Sequence, residues 1–320
     1  MKRFVLAFII FFFSSLSAAQ DVLSFPSQTC LSKTQFLDNC NPVNVTGKFY
    51  KASGDALVIV THNSAGTDER HYRYAEHIQS LGFSALVVDH WKSRGISDAQ
   101  KNFIEVGKRG GNIHNMVIDV NWAMRHFQSK GFKKFGFIGE SMGGGVALAL
   151  TKEEWQSTFR RVSGQESVRL DAIVGLYGNC NERYTYDRFL NSPMLMITGD
   201  KDTNTPAKTC KDYIEEWATP RGANMRFMSL PGQYHDFDAD FKLFMSPSAQ
   251  NPSRCIATVD IKTIRATLTG RTYANTPDGW NVWKSDCLEN NSTTLYGHTG
   301  DRRTGFKEWS AFFTLHLGAP

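Results

Sequence analysis

Short apolar runs alternate along the chain with segments of helical periodicity. Ala56–Thr61 (ALVIVT), Ser84–Asp89 (SALVVD), Lys134–Ile138, Ala172–Gly178, Met194–Thr198 and Met225–Leu230 are largely apolar without a two-residue alternation. Runs of that kind mark strands covered on both faces. Between them, Asp68–Leu81 and a segment around Ala207–Trp217 read as helices, Val146–Leu150 opens another, and Thr304–Leu317 closes the chain as an amphipathic one. From Asn112 to Lys130, apolar side chains recur at Ile113, Met116, Val117, Val120, Met124 and Phe127, which sets one helix face against a core. Strand–helix alternation predicts an α/β fold with a mostly parallel central sheet and helices on both faces. Sheets of this type carry their chemistry on loops at the carboxyl ends of the strands. Two stretches break the alternation, Gln20–Val43 and roughly Asp238–Arg303.

The amino terminus changes the picture. Lys2 and Arg3 precede an apolar run from Phe4 to Phe13, followed by small residues ending in Ser17-Ala18-Ala19. This is the pattern of a secretory signal peptide, cut after Ala19. The apolar run is too short to span a bilayer, which takes about 20 residues. The expected mature chain is therefore secreted or periplasmic, free of the membrane, and a single domain over 20–320 with an insertion at about 238–303. The formal charge of +5 falls to 34 − 31 = +3 once Lys2 and Arg3 are removed. That excess is small and no basic run is interleaved with aromatics, which argues against nucleic-acid binding. Export also makes the cysteines readable. Cys30, Cys40, Cys180, Cys210, Cys255 and Cys287 form an even set without a C-x-x-C pair, as disulfides in an oxidising compartment would. Sequential pairing, 30–40, 180–210 and 255–287, keeps each bridge within one local segment.

The candidate chemistry begins where strand Lys134–Ile138 meets Gly139-Glu140-Ser141-Met142-Gly143-Gly144-Gly145. A G-x-S-x-G pattern between a strand and a helix lifts the serine above the sheet edge on a sharp, strained turn, and flanking side chains would collide there. Two carboxylates, Asp200 and Asp202, follow strand Met194–Thr198, and His235 follows strand Met225–Leu230. The order Ser, Asp, His is that of a nucleophile, an orienting acid and a general base on an α/β scaffold. Of the nine histidines only His235 directly follows a late strand in this order, with His298 the main rival. The oxyanion donors expected are the amide of Met142 and one from the loop His62-Asn63-Ser64-Ala65-Gly66, with Ser64 preferred to Asn63. His62 itself reads as a packing residue.

Together, ALVIVTHNSAG, GFSALVVDHWKSRG, FGFIGESMGGGVAL, MLMITGDKDTNTP and LPGQYHDFD resemble the dienelactone hydrolase family of α/β-hydrolases. The likeness covers roughly Val45–Phe237 and the last helix. It implies an ester hydrolase that acts on small-molecule esters and needs no metal or organic cofactor. It implies Asp202 as the acid, since the family's acid usually closes a G-x-x-D, with Asp200 as the alternative. It also implies substrate contact by Arg94 and its neighbour Trp91, shortly after the Asp that ends the second strand, with a solvated or structural Arg94 as the alternative. In the superfamily's strand order a 180–210 disulfide would brace the loop carrying the acid. Two departures matter. Family members that open the dienelactone ring typically carry cysteine where Ser141 stands, which moves this chain toward general serine esterases, and G-x-S-M-G-G-G also resembles polyester hydrolases. The stretch Asp238–Arg303 is longer than the family's connection, and a disulfide-braced flap bearing Tyr273, Trp280 and Trp283 is expected at the pocket mouth. A peptidase or amidase of the prolyl-oligopeptidase type and a non-catalytic extracellular binding protein on the same scaffold are the alternatives.

Overall fold

The computed structural model describes residues 20–30, 40–97 and 103–318, so the expected leader, residues 1–19, lies outside the described residues. In chain order the first strands are β1 (Gln20–Cys30), β2 (Cys40–Tyr50), β3 (Ala56–Thr61), β4 (Ser84–Asp89), β5 (Lys134–Glu140), β6 (Ala172–Leu176), β7 (Glu182–Tyr184), β8 (Met194–Gly199) and β9 (Met225–Leu230). All but β7 lie in one sheet of order β1-β2-β4-β3-β5-β6-β8-β9. From β4 to β9 every neighbour pair is parallel. β3, β6 and β8 are buried along their whole length, as their unbroken apolar sequences require. This is the expected α/β fold with a mostly parallel central sheet.

The helices are α1 (Glu69–Ser80), α2 (Phe103–Lys108), α3 (Ile113–Gln128), α4 (Met142–Leu150), α5 (Glu153–Ser163) and α6 (Ala207–Asp212), which continues as a π-helical turn, Tyr213–Ala218. Local sequence sets their starts. The Asp68 carboxylate caps α1 by accepting the Arg70 amide, and Asn112 caps α3 by accepting the Asn115 amide. Two cores sandwich the sheet. Met116, Val120, Met124 and Phe127 of α3 pack with α4 on one face. Tyr74, Ala75 and Ile78 of α1 pack with the last helix on the other.

Sequence patterning misses β1 and β2. They form an antiparallel hairpin closed by the Cys30–Cys40 disulfide, and β2 pairs antiparallel with β4, extending the sheet. Alternate residues Val43, Val45, Gly47 and Phe49 face inward, but Gly47 and the inward Ser27 on β1 blur the apolar rhythm, and Pro26 and Pro42 read as breaks. Both prolines are exposed, and Pro26 lies on the outermost strand, where a missing N–H is tolerated.

The stretch from 238 to 303 is likewise structured. It contains β10 (Phe244–Asn251), β11 (Ala257–Val259), β12 (Thr263–Ala266), β13 (Thr272–Ala274), α7 (Pro277–Cys287) and β14 (Glu289–Tyr296), and α8 (Phe306–Leu317) then closes the chain. β11, β12 and β13 join β7 in a four-stranded sheet, and β10 pairs with β14. The expected flap aromatics serve this unit rather than a pocket. Trp283 and Tyr273 are buried with Cys255, Val259 and Ile264 in a small core of its own, with Trp280 packed against it.

Arg94 also has a structural post. Its guanidinium straddles Asp119 of α3, with Nη1 2.8 Å from Oδ2 and Nη2 2.9 Å from Oδ1, while Nε donates to Thr29 Oγ1 on β1. Asp119 also accepts His90 Nδ1 and the Ser27 hydroxyl. The cluster is wholly buried and ties the amino-terminal hairpin to α3. Removing one partner of a buried ion pair strands the other, at a cost of about 3–5 kcal/mol. Asp119→Ala is therefore expected to lower unfolding free energy by that order in urea titrations; a loss under about 1 kcal/mol would contradict the role.

Candidate active site

Ser141 sits between β5 and α4 with φ 51° and ψ −108°, a conformation that L-residues rarely adopt. The turn is held by close backbone approach. A Cβ on Gly144 would lie 2.6 Å from Cα of Gly178, and one on Gly143 would lie 2.8 Å from the Thr61 carbonyl oxygen. Only glycine lets α4 come this near to the ends of β3 and β6. The Ser141 amide donates to the Leu176 carbonyl at 2.9 Å, pinning the turn to β6. Among the described residues, the three non-glycine residues with positive φ are Ser141, Tyr177 and Asp236. Asp236 follows His235 directly, and the Tyr177 ring lies 4.8 Å from the imidazole. Strain of about 1–3 kcal/mol per residue is thus gathered at one place.

His235 Nε2 is 3.1 Å from Ser141 Oγ, and Nδ1 is 2.8 Å from Asp202 Oδ2. Asp202 Oδ1 accepts the amides of Asn204 and Thr205, each at 2.8 Å, and the Thr205 hydroxyl lies 2.8 Å from Oδ2. The carboxylate is buried but saturated with donors, which fixes its orientation. Thr205 was not singled out from sequence, although Asp-x-Asn-Thr-Pro is the pattern of an Asx turn leading into a helix. The alternative acid, Asp200, accepts the Gly232 amide at 2.7 Å instead and braces the β8–β9 ends. The rival base, His298, exchanges backbone hydrogen bonds with Phe241 and Leu243.

Burial alone would lower the His235 pKa. The Asp202 carboxylate, by charge and hydrogen bond, and then Asp236 and Glu140, outweigh burial and raise it above its ordinary value.

The expected oxyanion donors have distinct surroundings. Met142 is the first residue of α4, where an amide has no partner within the helix. In the other loop, Asn63 donates its amide to Glu140 Oε1 at 3.2 Å, and its side-chain oxygen accepts the Ala65 amide at 2.7 Å. Trp91 is buried and gives its indole N–H to the Ser64 carbonyl at 3.2 Å. Trp91 and Arg94 are thus corrected from substrate contacts to supports, since their polar groups are spent inside the protein. His62 packs against Trp91, its ring 4.8 Å away, in the packing role expected of it. The Cys180–Cys210 bridge joins the segment after β6 to α6, just beyond the Asp202 turn, and β6 and β8 are adjacent as expected. Sequence gave no sign of Tyr296. It reaches the site from β14, its ring 5.4 Å from His235, and the following Gly297 amide donates to the His235 carbonyl at 2.9 Å.

The dienelactone hydrolase family model matches residues 49–251, well over half of the chain. The chain belongs to the dienelactone hydrolase family. Membership supports a hydrolase function. No curated protein sequence is significantly similar to the chain. Similar solved structures include the dienelactone hydrolase-like promiscuous phosphotriesterase P91 from metagenomic libraries, at 17% identity and a TM-score of 0.47 over 84% of this chain and 99% of that one. The Pyrococcus furiosus esterase Pf2001 matches at 14% and 0.47 over 73% and 90%. A dienelactone hydrolase from Anabaena variabilis matches at 18% and 0.43 over 67% and 88%.

An imidazole that must accept a proton works only when neutral. With its pKa raised, that form is lost as pH falls through a value above about 6.5. The acid limb of kcat/KM is therefore expected to have its midpoint above pH ~6.5, and a midpoint well below that would contradict the assignment.

Proposed function

We propose that the protein is an exported serine esterase that cleaves carboxylic esters through an acyl-enzyme on Ser141. The observation that carries this is the hydrogen-bonded chain Ser141–His235–Asp202 across the carboxyl ends of three strands, with spacings of 3.1 and 2.8 Å. His235 Nε2 takes the Ser141 proton as Oγ attacks the ester carbonyl. Asp202 holds Nδ1–H and stabilises the imidazolium. The amides of Met142 and Ser64 receive the oxyanion. Collapse of the tetrahedral intermediate expels the alcohol, which takes the proton from His235. Water, deprotonated by the same nitrogen, then attacks the acyl-enzyme and frees the acid and Ser141.

The apolar leader ending at Ala19 and the three disulfides support export to an oxidising compartment. In this reading 20–320 is one catalytic unit, with 238–303 an addition to it. Among the described residues no helix is long and apolar enough to cross a membrane. The substrates are small-molecule esters, and soluble polyester oligomers are the polymeric extension of the same chemistry.

The test is a panel of p-nitrophenyl esters, lactones and polyester oligomers, with fluorophosphonate labelling. Ser141→Ala is expected to abolish labelling and to lower kcat by about 10⁴-fold or more. Undiminished turnover in this variant would reject the mechanism. Reduction of Cys180–Cys210 frees the segment that carries the acid. With graded dithiothreitol, turnover is expected to fall before tryptophan fluorescence reports unfolding, and simultaneous loss of both would refute the bracing role.

A further inference from the structure

Beside His235 lies a buried ionic cluster that the hydrolytic steps do not use. Its centre is Arg70 in the first turn of α1, whose side chain is 1% exposed. Nη1 lies 2.7 Å from Asp236 Oδ1, 2.8 Å from the Tyr177 hydroxyl and 3.3 Å from Glu140 Oε2, and Nη2 lies 3.1 Å from Asp68 Oδ2. The Tyr177 hydroxyl donates to Asp238 Oδ1 at 2.6 Å. His71, next along α1, holds the other Glu140 oxygen with Nε2 at 2.6 Å.

The positions of these partners in the chain give the cluster its meaning. Glu140 immediately precedes Ser141, Asp236 immediately follows His235, and the Tyr177 ring packs edge-on against the imidazole. One guanidinium therefore grips the turn that carries the nucleophile, the loop that carries the base and the residue that buttresses the base. Asp236 and Tyr177 hold strained backbones, and strain persists only where surrounding contacts over-determine it. Burying an arginine among carboxylates is also costly unless its geometry is satisfied, so the cluster is poor value as a stabiliser alone.

We propose that Arg70 is a positioning residue: by holding Asp236 and Glu140 together it fixes the imidazole of His235 within proton-transfer reach of Ser141. The inference rests on the Ser141–His235 reading above. Arg70 also acts through charge. The charged and titratable groups around the imidazole and its cluster are Asp202 after β8, Asp236 and Asp238 on its own loop, Glu140 at the end of β5, Tyr177 after β6, Tyr296 on β14, and Arg70 with His71 from α1; burial raises the Asp238 carboxyl to about 6. Asp236 and Glu140 pull the His235 pKa upward, and Arg70 is ion-paired with both of these carboxylates, so its cation partly compensates their charge.

The experiment compares Asp236→Ala with Asp236→Asn, each verified by thermal melting. Asparagine keeps an oxygen that can accept from Arg70, whereas alanine cuts the tether. Asp236→Ala is expected to lower kcat about ten-fold with KM within about two-fold, since misplacing a base by a fraction of an ångström costs rate rather than binding. Asp236→Asn is expected to recover most of kcat while its acid limb moves to lower pH, because a negative charge near the imidazole is gone. Arg70→Gln, where it folds, is expected to move the limb to higher pH. Unchanged kcat in Asp236→Ala, equal losses in both Asp236 variants, or an unmoved limb in Asp236→Asn would overturn the proposal. Ser141→Ala separates the two levels. Activity surviving in that variant refutes the underlying mechanism, whereas activity lost there but unaffected by Asp236→Ala refutes only the role of Arg70.

Discussion

The near-contact of two backbones, at Gly144 on α4 and Gly178 beyond β6, is the constraint from which the site follows. With any side chain at either position α4 would have to move outward, and the Ser141 turn would lose its anchor on the Leu176 carbonyl. The serine's unfavourable dihedrals are thus imposed by packing that leaves no alternative. The same approach sets the distance between β5 and the loop after β6, and so decides how near Tyr177 and the disulfide-bound Cys180 come to the nucleophile.

Much of this was legible in the sequence because parallel strands buried on both faces cannot hide their composition. The six parallel strands appear as apolar runs, although β9 lies at the sheet edge and is only partly buried, and Ser141, Asp202 and His235 stand at their carboxyl ends, which are brought together in space. The misses have a common cause. β1 and β2 mix Pro26, Pro42, Ser27 and Gly47 into a pattern whose inward positions are not consistently apolar, so periodicity fails where burial is served by polar side chains. For Arg94 the sequence leaves a pocket role and a structural role open, and the structure selects the second, because its charge is taken up by Asp119, 25 residues further on. Tyr296 and Arg70 could not be found by motif, because their partners lie far away along the chain.

The stretch between the His235 loop and α8 touches the candidate site without giving it most of its aromatic side chains. Tyr273, Trp280 and Trp283 make its own small core, while from the end of β14 the Tyr296 ring and the Gly297 amide meet the His235 loop. Asn251 adds a bond to the Thr203 carbonyl beside the acid. Both the His235 loop and the Asp202 turn are therefore touched by residues of this stretch.

The mixed sheet β13-β12-β11-β7 joins parts of the chain that are far apart in sequence. Its β11–β7 ladder pairs Ala257 with Glu182, partners 75 positions apart (257 − 182), across a parallel register that local turns cannot template, whereas β11–β12 and β12–β13 are antiparallel neighbours. Closing so long a loop costs more entropy than closing either neighbour pair, and the Cys255–Cys287 disulfide offsets part of the cost of forming this sheet by restraining the stretch with β11, β12 and β13 in the unfolded chain. The segment that leaves β6 and the segment that leaves the His235 loop are thereby fastened to each other a second time, outside the central sheet.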